Sequence, residues 1–125
     1  MKVILIDTDN LTPQIVETPG GLKEWRRLIK CDLIDITRLK IGGIYYDIIS
    51  DDEGLYKGVA KPTAIDPQIQ PVLVGNLVIC NADEEGNEAT LTDKDIEHIL
   101  KYIIVLTETD TDHPEKWLAL NAVEV

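Results

Sequence analysis

Val72 to Ile79 (VLVGNLVI) is apolar at six of its eight positions, broken only by Gly75 and Asn76. A run with so little polar alternation is buried on both faces or lies at the centre of a sheet. The rest of the chain must supply its cover. Asp83-Glu84-Glu85-Gly86-Asn87 follows with turn chemistry, and Glu88 to Leu91 reads as a return strand. Val72–Leu91 is therefore expected to form two strands joined by an acidic turn. Gly75 inside the run marks a bulge or a close backbone approach.

The flanking segments divide into strands and two helices. Lys2–Asp7 and Gln14–Glu17 read as a strand pair around the turn residues Thr8-Asp9-Asn10. After Pro19-Gly20-Gly21, the residues Leu22, Trp25, Leu28 and Ile29 recur at helical spacing, with Lys23, Glu24, Arg26, Arg27 and Lys30 on the other side. Thr18, Gly20 or Gly21 caps this helix, and Trp25 anchors it on the sheet. Leu33–Leu39 and Ile44–Ile49 form a hairpin about Gly42-Gly43. In its second strand Ile44, Tyr46 and Ile48 share one face, and Tyr45, Asp47 and Ile49 the other. Asp51-Asp52-Glu53-Gly54 is an exposed turn, and Leu55–Val59 pairs back.

Pro62, Pro67 and Pro71 make Ala60–Pro71 an irregular connector and argue against a central strand there. Thr92 then caps a second helix, with Asp95 completing a capping box. Ile96, Ile99, Leu100 and Ile103 form its buried stripe, while Lys94, Glu97, His98 and Lys101 face solvent. Ile103–Leu106 is read as carrying the helix on to about Ile104, although its β-branched residues also suit a strand. Residues 107–125 comprise an acidic loop (Thr107–Pro114) and an apolar tail, Trp117–Leu120 with Ala122-Val123, that is a last strand or a docked end. The expected architecture is a single α+β domain over residues 1–125, a mainly antiparallel sheet with two helices packed on it.

Charge is unevenly placed. The net charge is −11. Residues 1–61 hold nine Lys/Arg and ten Asp/Glu, whereas residues 62–125 hold three and thirteen. An acidic C-terminal half disfavours direct binding to nucleic acid phosphates or membrane headgroups, and suits a basic partner. The longest apolar run is far short of the roughly 20 residues of a membrane span. MKVILIDTD turns acidic too early for a signal peptide. The expected location is the cytoplasm, with Cys31 and Cys80 as reduced packing residues.

No motif carries chemistry. Asp7 and Asp9 match the first two ligand positions of a calcium loop, but Leu11 occupies the third. Two Cys and two His are too scattered for a zinc motif. A Cys–His pair would have to be assembled by folding. No glycine-rich phosphate loop occurs. Neither catalytic residues, a cofactor nor a metal is expected.

The order of segments carries a resemblance. MKVILID, GGLKEWRRLI, LIDITRL, IYYDIISDDEGL, KPTAI, VLVGNLVICNADEEGNEATLT and TDKDIEHIL succeed one another over roughly residues 2–100. This series resembles the bacterial and phage family called domain of unknown function 3846, whose KPTA segment often carries Asn where Thr63 stands here. The resemblance implies a small protein of a phage or other mobile element in a bacterial host, and no catalytic residues. The resulting expectation is a non-enzymatic accessory protein that binds another protein. Its sharper form is an acidic face (Asp83, Glu84, Glu85, Glu88, Asp110 and Asp112) that competes with nucleic acid for a basic host protein. The alternative is a small-ligand or cation-binding module using the proline-rich loop 60–71.

Overall fold

The computed structural model describes residues 1–53, 61–109 and 111–124. In chain order the elements are β1 (Lys2–Ile6), β2 (Gln14–Glu17), α1 (Leu22–Ile29), β3 (Ile34–Ile41), β4 (Ile44–Asp51), β5 (Pro62–Ile65), β6 (Pro71–Val74), β7 (Leu77–Ala82), β8 (Glu88–Ala89), α2 (Asp93–Leu100), β9 (Ile103–Thr107), β10 (Lys116–Leu120) and β11 (Val123–Glu124). The α+β class holds. Among the described residues the strands form two sheets. The larger has the order β11-β3-β4-β7-β1-β2, with β8 also paired to β7, and the smaller has the order β6-β5-β10-β9. All pairs are antiparallel except β5 with β10.

The central strands are buried on both faces. Val3, Leu5, Val78, Cys80 and Ile49 pack under Trp25, Leu28 and Ile29 of α1. Ile4, Ile6, Leu77, Ile79, Tyr46 and Ile48 pack on the other face against Ala64, Leu118 and Leu120 of the smaller sheet and Ile96 and Ile99 of α2. The strand period of two deals successive residues of β1 and β7 to opposite cores.

The apolar run 72–79 is split between the sheets. Val72–Val74 lies in β6 and Leu77–Ile79 in β7, so the expected single strand is a crossover. Gly75 makes it, with φ +78, a left-handed conformation that favours glycine. Its N–H donates to the Lys61 carbonyl at 3.0 Å, and its carbonyl accepts from the Thr63 hydroxyl at 2.6 Å. A Cβ at Gly75 would meet nothing within 4 Å, so the glycine serves the left-handed turn and not the close approach expected there.

Three further expectations are corrected. The proline-rich segment holds β5, an interior strand of the smaller sheet. Pro62 is tolerated as its first residue, the register with β6 is irregular, and Pro71 opens the edge strand β6. Residues 103–107 are strand and not helix, because Ile103–Thr107 pairs along its whole length with β10. Leu22 and Leu100, placed on buried stripes, are exposed.

Local signals fared better. Gly21 is the α1 N-cap, and Thr92 and Asp95 form the α2 capping box. Gly42 and Gly43 close the β3–β4 hairpin with φ +55 and +85. Leu55–Val59 and part of the Asp51–Gly54 turn lie outside the described residues.

Candidate functional site

The acidic candidates are not gathered on one face. Asp83, Glu84 and Glu85 occupy the turn after β7, and Glu88 opens β8. Asp112 is exposed in the β9–β10 connection, at the opposite end of β7. That placement follows from three links: Glu115 pairs with Lys61 at 2.8 Å, the Lys61 carbonyl accepts from Gly75, and Gly75 lies two residues before β7. A six-residue strand separates the ends by about 20 Å. Asp110 lies outside the described residues.

Two of these acids have structural work. Asp83 Oδ1 accepts the Glu85 and Asn87 N–H groups at 2.9 Å each. The Asn87 N–H foremost holds its carboxyl below the usual carboxylate range. Glu88 Oε1 accepts the Trp25 indole N–H at 3.0 Å. Glu84 and Glu85 are exposed.

The Cys–His pairing is excluded by position. Cys80 belongs to the core under α1, whereas His98 lies on α2, across the larger sheet. Burial foremost, with Asp47 and Glu88 nearby, pushes the Cys80 thiol up to about 12. Cys31 is also buried, and its Sγ donates to the Leu33 carbonyl at 3.4 Å. His98 was expected on the solvent face. It is half-buried, with Nε2 2.8 Å from the Ile41 carbonyl and its ring against Tyr102. His113 is exposed in the β9–β10 connection.

Ligand and ion sites fare similarly. In the proline-rich segment Thr63 is fully buried, and Asp66 Oδ1 accepts the Gln68 and Gln70 N–H groups as a turn. Asp7 accepts the Asp9 N–H and pairs with Lys30 at 3.4 Å. Among the described residues no three His, Cys, Asp or Glu side chains converge as metal ligands, and no helix is long and apolar enough to cross a membrane. One cleft, of about 130 Å³, lies between Asp35, Ser50–Asp52 and Val72–Val74. Small-molecule sites usually span roughly 300–1,000 Å³.

The residues that the sequence reading missed lie beside α1. The helix packs on β7, β4 and β3 and shares its core with Val3 and Leu5 of β1, and it leaves part of the β3–β4 hairpin exposed. There Ile36 is 46% and Tyr45 51% exposed, and Leu22 at the start of α1 is 50% exposed. Glu24 bonds Thr18, next to β2, so the opposite flank of α1, carrying Leu22 and Arg26, faces β4 and β3. Cations lie among these side chains, Arg38 and Lys40 following Ile36 on the same face of β3. Arg38 pairs with the buried Asp47 at 3.4 Å yet stays 54% exposed, and Lys40 Nζ sits 5.2 Å from the Tyr45 ring centroid. The signal in the sequence is a change of phase along β3. Ile34 and Ile36 face α1, whereas Leu39 and Ile41 face the other core. Both faces of the strand are thus apolar in turn.

Neither a curated protein nor a solved structure matches the chain. Residues 1–104 match the family described as domain of unknown function (DUF3846). The match spans β1 through the start of β9, which takes in the larger sheet apart from β11, β5 and β6 of the smaller sheet, and both helices, and the chain belongs to that family.

Proposed function

We propose that the protein is a non-enzymatic accessory protein of a phage or other mobile element, working in the bacterial cytoplasm by binding another protein. The observation that supports it is the exposure of Ile36 and Tyr45 on the α1 face of the β3–β4 hairpin, with Arg38 and Lys40 on the same face, and of Leu22 on α1 itself. Exposed large apolar side chains interleaved with charge on one sheet face suit a partner-binding surface. Tyr45 and Arg38 are of the residue types that dominate binding energy. The family resemblance supports the mobile-element origin.

A second reading keeps the acidic surface, with a basic host protein as partner. Exposed Glu84 and Glu85 support it at the tip of the β7–β8 turn. Affinity capture from bacterial lysate separates the two. The tagged chain is compared with an Ile36→Ser/Tyr45→Ser variant and a Glu84→Lys/Glu85→Lys variant, each checked for native folding. Loss of a specific partner in the first variant alone is the expected result. Loss in the second alone would move the site to the acidic turn.

A further inference from the structure

The cleft between the β3–β4 hairpin and β6 lies on the other side of the larger sheet from α1, and it is independent of the surface proposed above. Ser50 follows Tyr46 and Ile48 at the strand period of two, so it shares their face, towards the smaller sheet. Asp35 is its direct partner on β3 and lies on the same face. The Asp52 N–H on the Leu33 carbonyl at 2.9 Å carries the alignment past the end of β4, which returns Asp52 to that face. Val72–Val74 of β6 form the facing aliphatic wall.

The polar wall is unmatched. Ser50 is only 2% exposed, yet its hydroxyl has no hydrogen-bond partner and opens into the cleft. A hydroxyl held in that state costs free energy that a bound donor recovers. Among the described residues neither Asp35 nor Asp52 has an ion pair, and no Lys or Arg lines the cleft. Asp35 Oδ2 meets the Thr37 hydroxyl at 3.5 Å. Asp51 lines the cleft too, and its Oδ1 accepts the Glu53 N–H at 2.9 Å.

We infer that this cleft binds a primary ammonium carried on an aliphatic stem, the chemistry shared by a lysine side chain and a free alkyl diamine. An ammonium has three N–H donors, one each for the Ser50 hydroxyl and the Asp35 and Asp52 carboxylates. The methylenes behind it lie along Val72–Val74, as lysine stems do on apolar surface. A guanidinium is planar and favours the two oxygens of one carboxylate. A bare divalent ion takes roughly six or more oxygens, and among the described residues no three carboxylates converge as metal ligands. A volume of about 130 Å³ suits one extended side chain and excludes a drug-sized ligand.

The test follows the amide signals of the isotope-labelled full chain by NMR as pentylamine, diaminopentane or Nα-acetyl-lysine methylamide is added. Pentanol and calcium chloride are the comparison probes. The expected result is saturable shifts centred on Asp35, Ser50–Asp52 and Val72–Val74 with the amines, and none with pentanol. Asp35→Asn/Asp52→Asn should weaken amine binding by roughly tenfold, the loss expected for a hydrogen bond to a charged group. Ser50→Ala should weaken it as well, with the spectrum otherwise native. Tighter binding of the diamine assigns the site to a free amine, and tighter binding of the lysine derivative assigns it to a lysine of a partner protein. No saturable shift, equal shifts with pentanol, or no effect of the double Asn variant overturns the inference. Displacement of the amine by calcium overturns it in favour of a metal ion. Binding that appears only in a Lys57→Gln variant overturns it in favour of the chain's own lysine.

Discussion

Trp25 and Glu88 are joined by a 3.0 Å hydrogen bond from the indole N–H to Oε1, across 63 residues of sequence. The bond ties α1 to the strand that follows the acidic turn. The Trp25 side chain is almost fully buried, and its N–H has no water to turn to. Replacing Glu88 by Ala orphans that donor, at a cost of about 1–3 kcal/mol. Glu88→Gln keeps an acceptor and should lose less than half as much. Urea unfolding followed by Trp fluorescence measures both. Equal losses would mean that charge, and not the hydrogen bond, is the stabilising part.

The two glycines of the β3–β4 hairpin are separable. Both have positive φ, which an alanine resists by roughly 1–2 kcal/mol. A Cβ on Gly42 would also run into the Tyr102 ring, whereas a Cβ on Gly43 meets nothing within 4 Å. Gly42→Ala is therefore expected to lower the thermal midpoint more than Gly43→Ala. The excess should shrink when Tyr102→Leu is added, because the double variant removes the obstructing ring. Thermal unfolding of the four variants provides the comparison.

How much of this was legible follows from where the information sits. The first hairpin, α1, the Gly42-Gly43 hairpin and the Thr92–Asp95 cap are local patterns, and they are found as read. The two-sheet division is not local. Val72–Val74 and Leu77–Ile79 are alike in composition, and only the left-handed turn at Gly75, fixed by contacts with Lys61 and Thr63, sends them to different sheets. Ile103–Leu106 continues the α2 stripe in sequence but is claimed by β10, more than ten residues later. The acidic set reflects density along the chain. Density cannot show that Glu88 serves Trp25, or that β7 separates Asp83 from Asp112.

Asp95 gives the fold a defined acid sensitivity. Burial alone would raise its carboxyl. The Thr92 N–H and hydroxyl, with the Tyr46 hydroxyl, outweigh that and hold it below its ordinary 3.8. A carboxyl lowered by folding contributes stability that is fully present above its unfolded value and is lost as pH falls through the folded one. Asp95→Asn should therefore show a constant deficit in urea midpoint from pH 7 down to about 4. The deficit should narrow below that, where the wild-type carboxylate becomes protonated. Thr92→Ala removes the cap from the other side and costs about 1 kcal/mol at neutral pH. A deficit that widened towards low pH would show that Asp95 is not held ionised by the cap.

The family match ends at residue 104, but the fold does not. β10 lies between β5 and β9 in the smaller sheet, and among the described strands β9 has no other partner. Leu118 and Leu120 enter the core between the sheets, Ala119 is fully buried, and the Trp117 indole donates to the Pro62 carbonyl at 2.8 Å. Val123 of β11 joins the same core and closes onto Ile41. A chain cut after Ile104 would keep the family-matched region yet expose one side of Ile4, Ile6, Leu77 and Ile79. Losing two buried leucines alone costs several kcal/mol, about 2–5 each by analogy with truncation to alanine, against a typical total of roughly 5–15. The shortened chain is expected to show no cooperative thermal transition and no dispersed amide spectrum. A chain cut after Leu120 keeps β10, and it should fold with a lowered midpoint. If the 1–104 fragment gave a native-like spectrum, the smaller sheet would be an accessory layer and not part of the core.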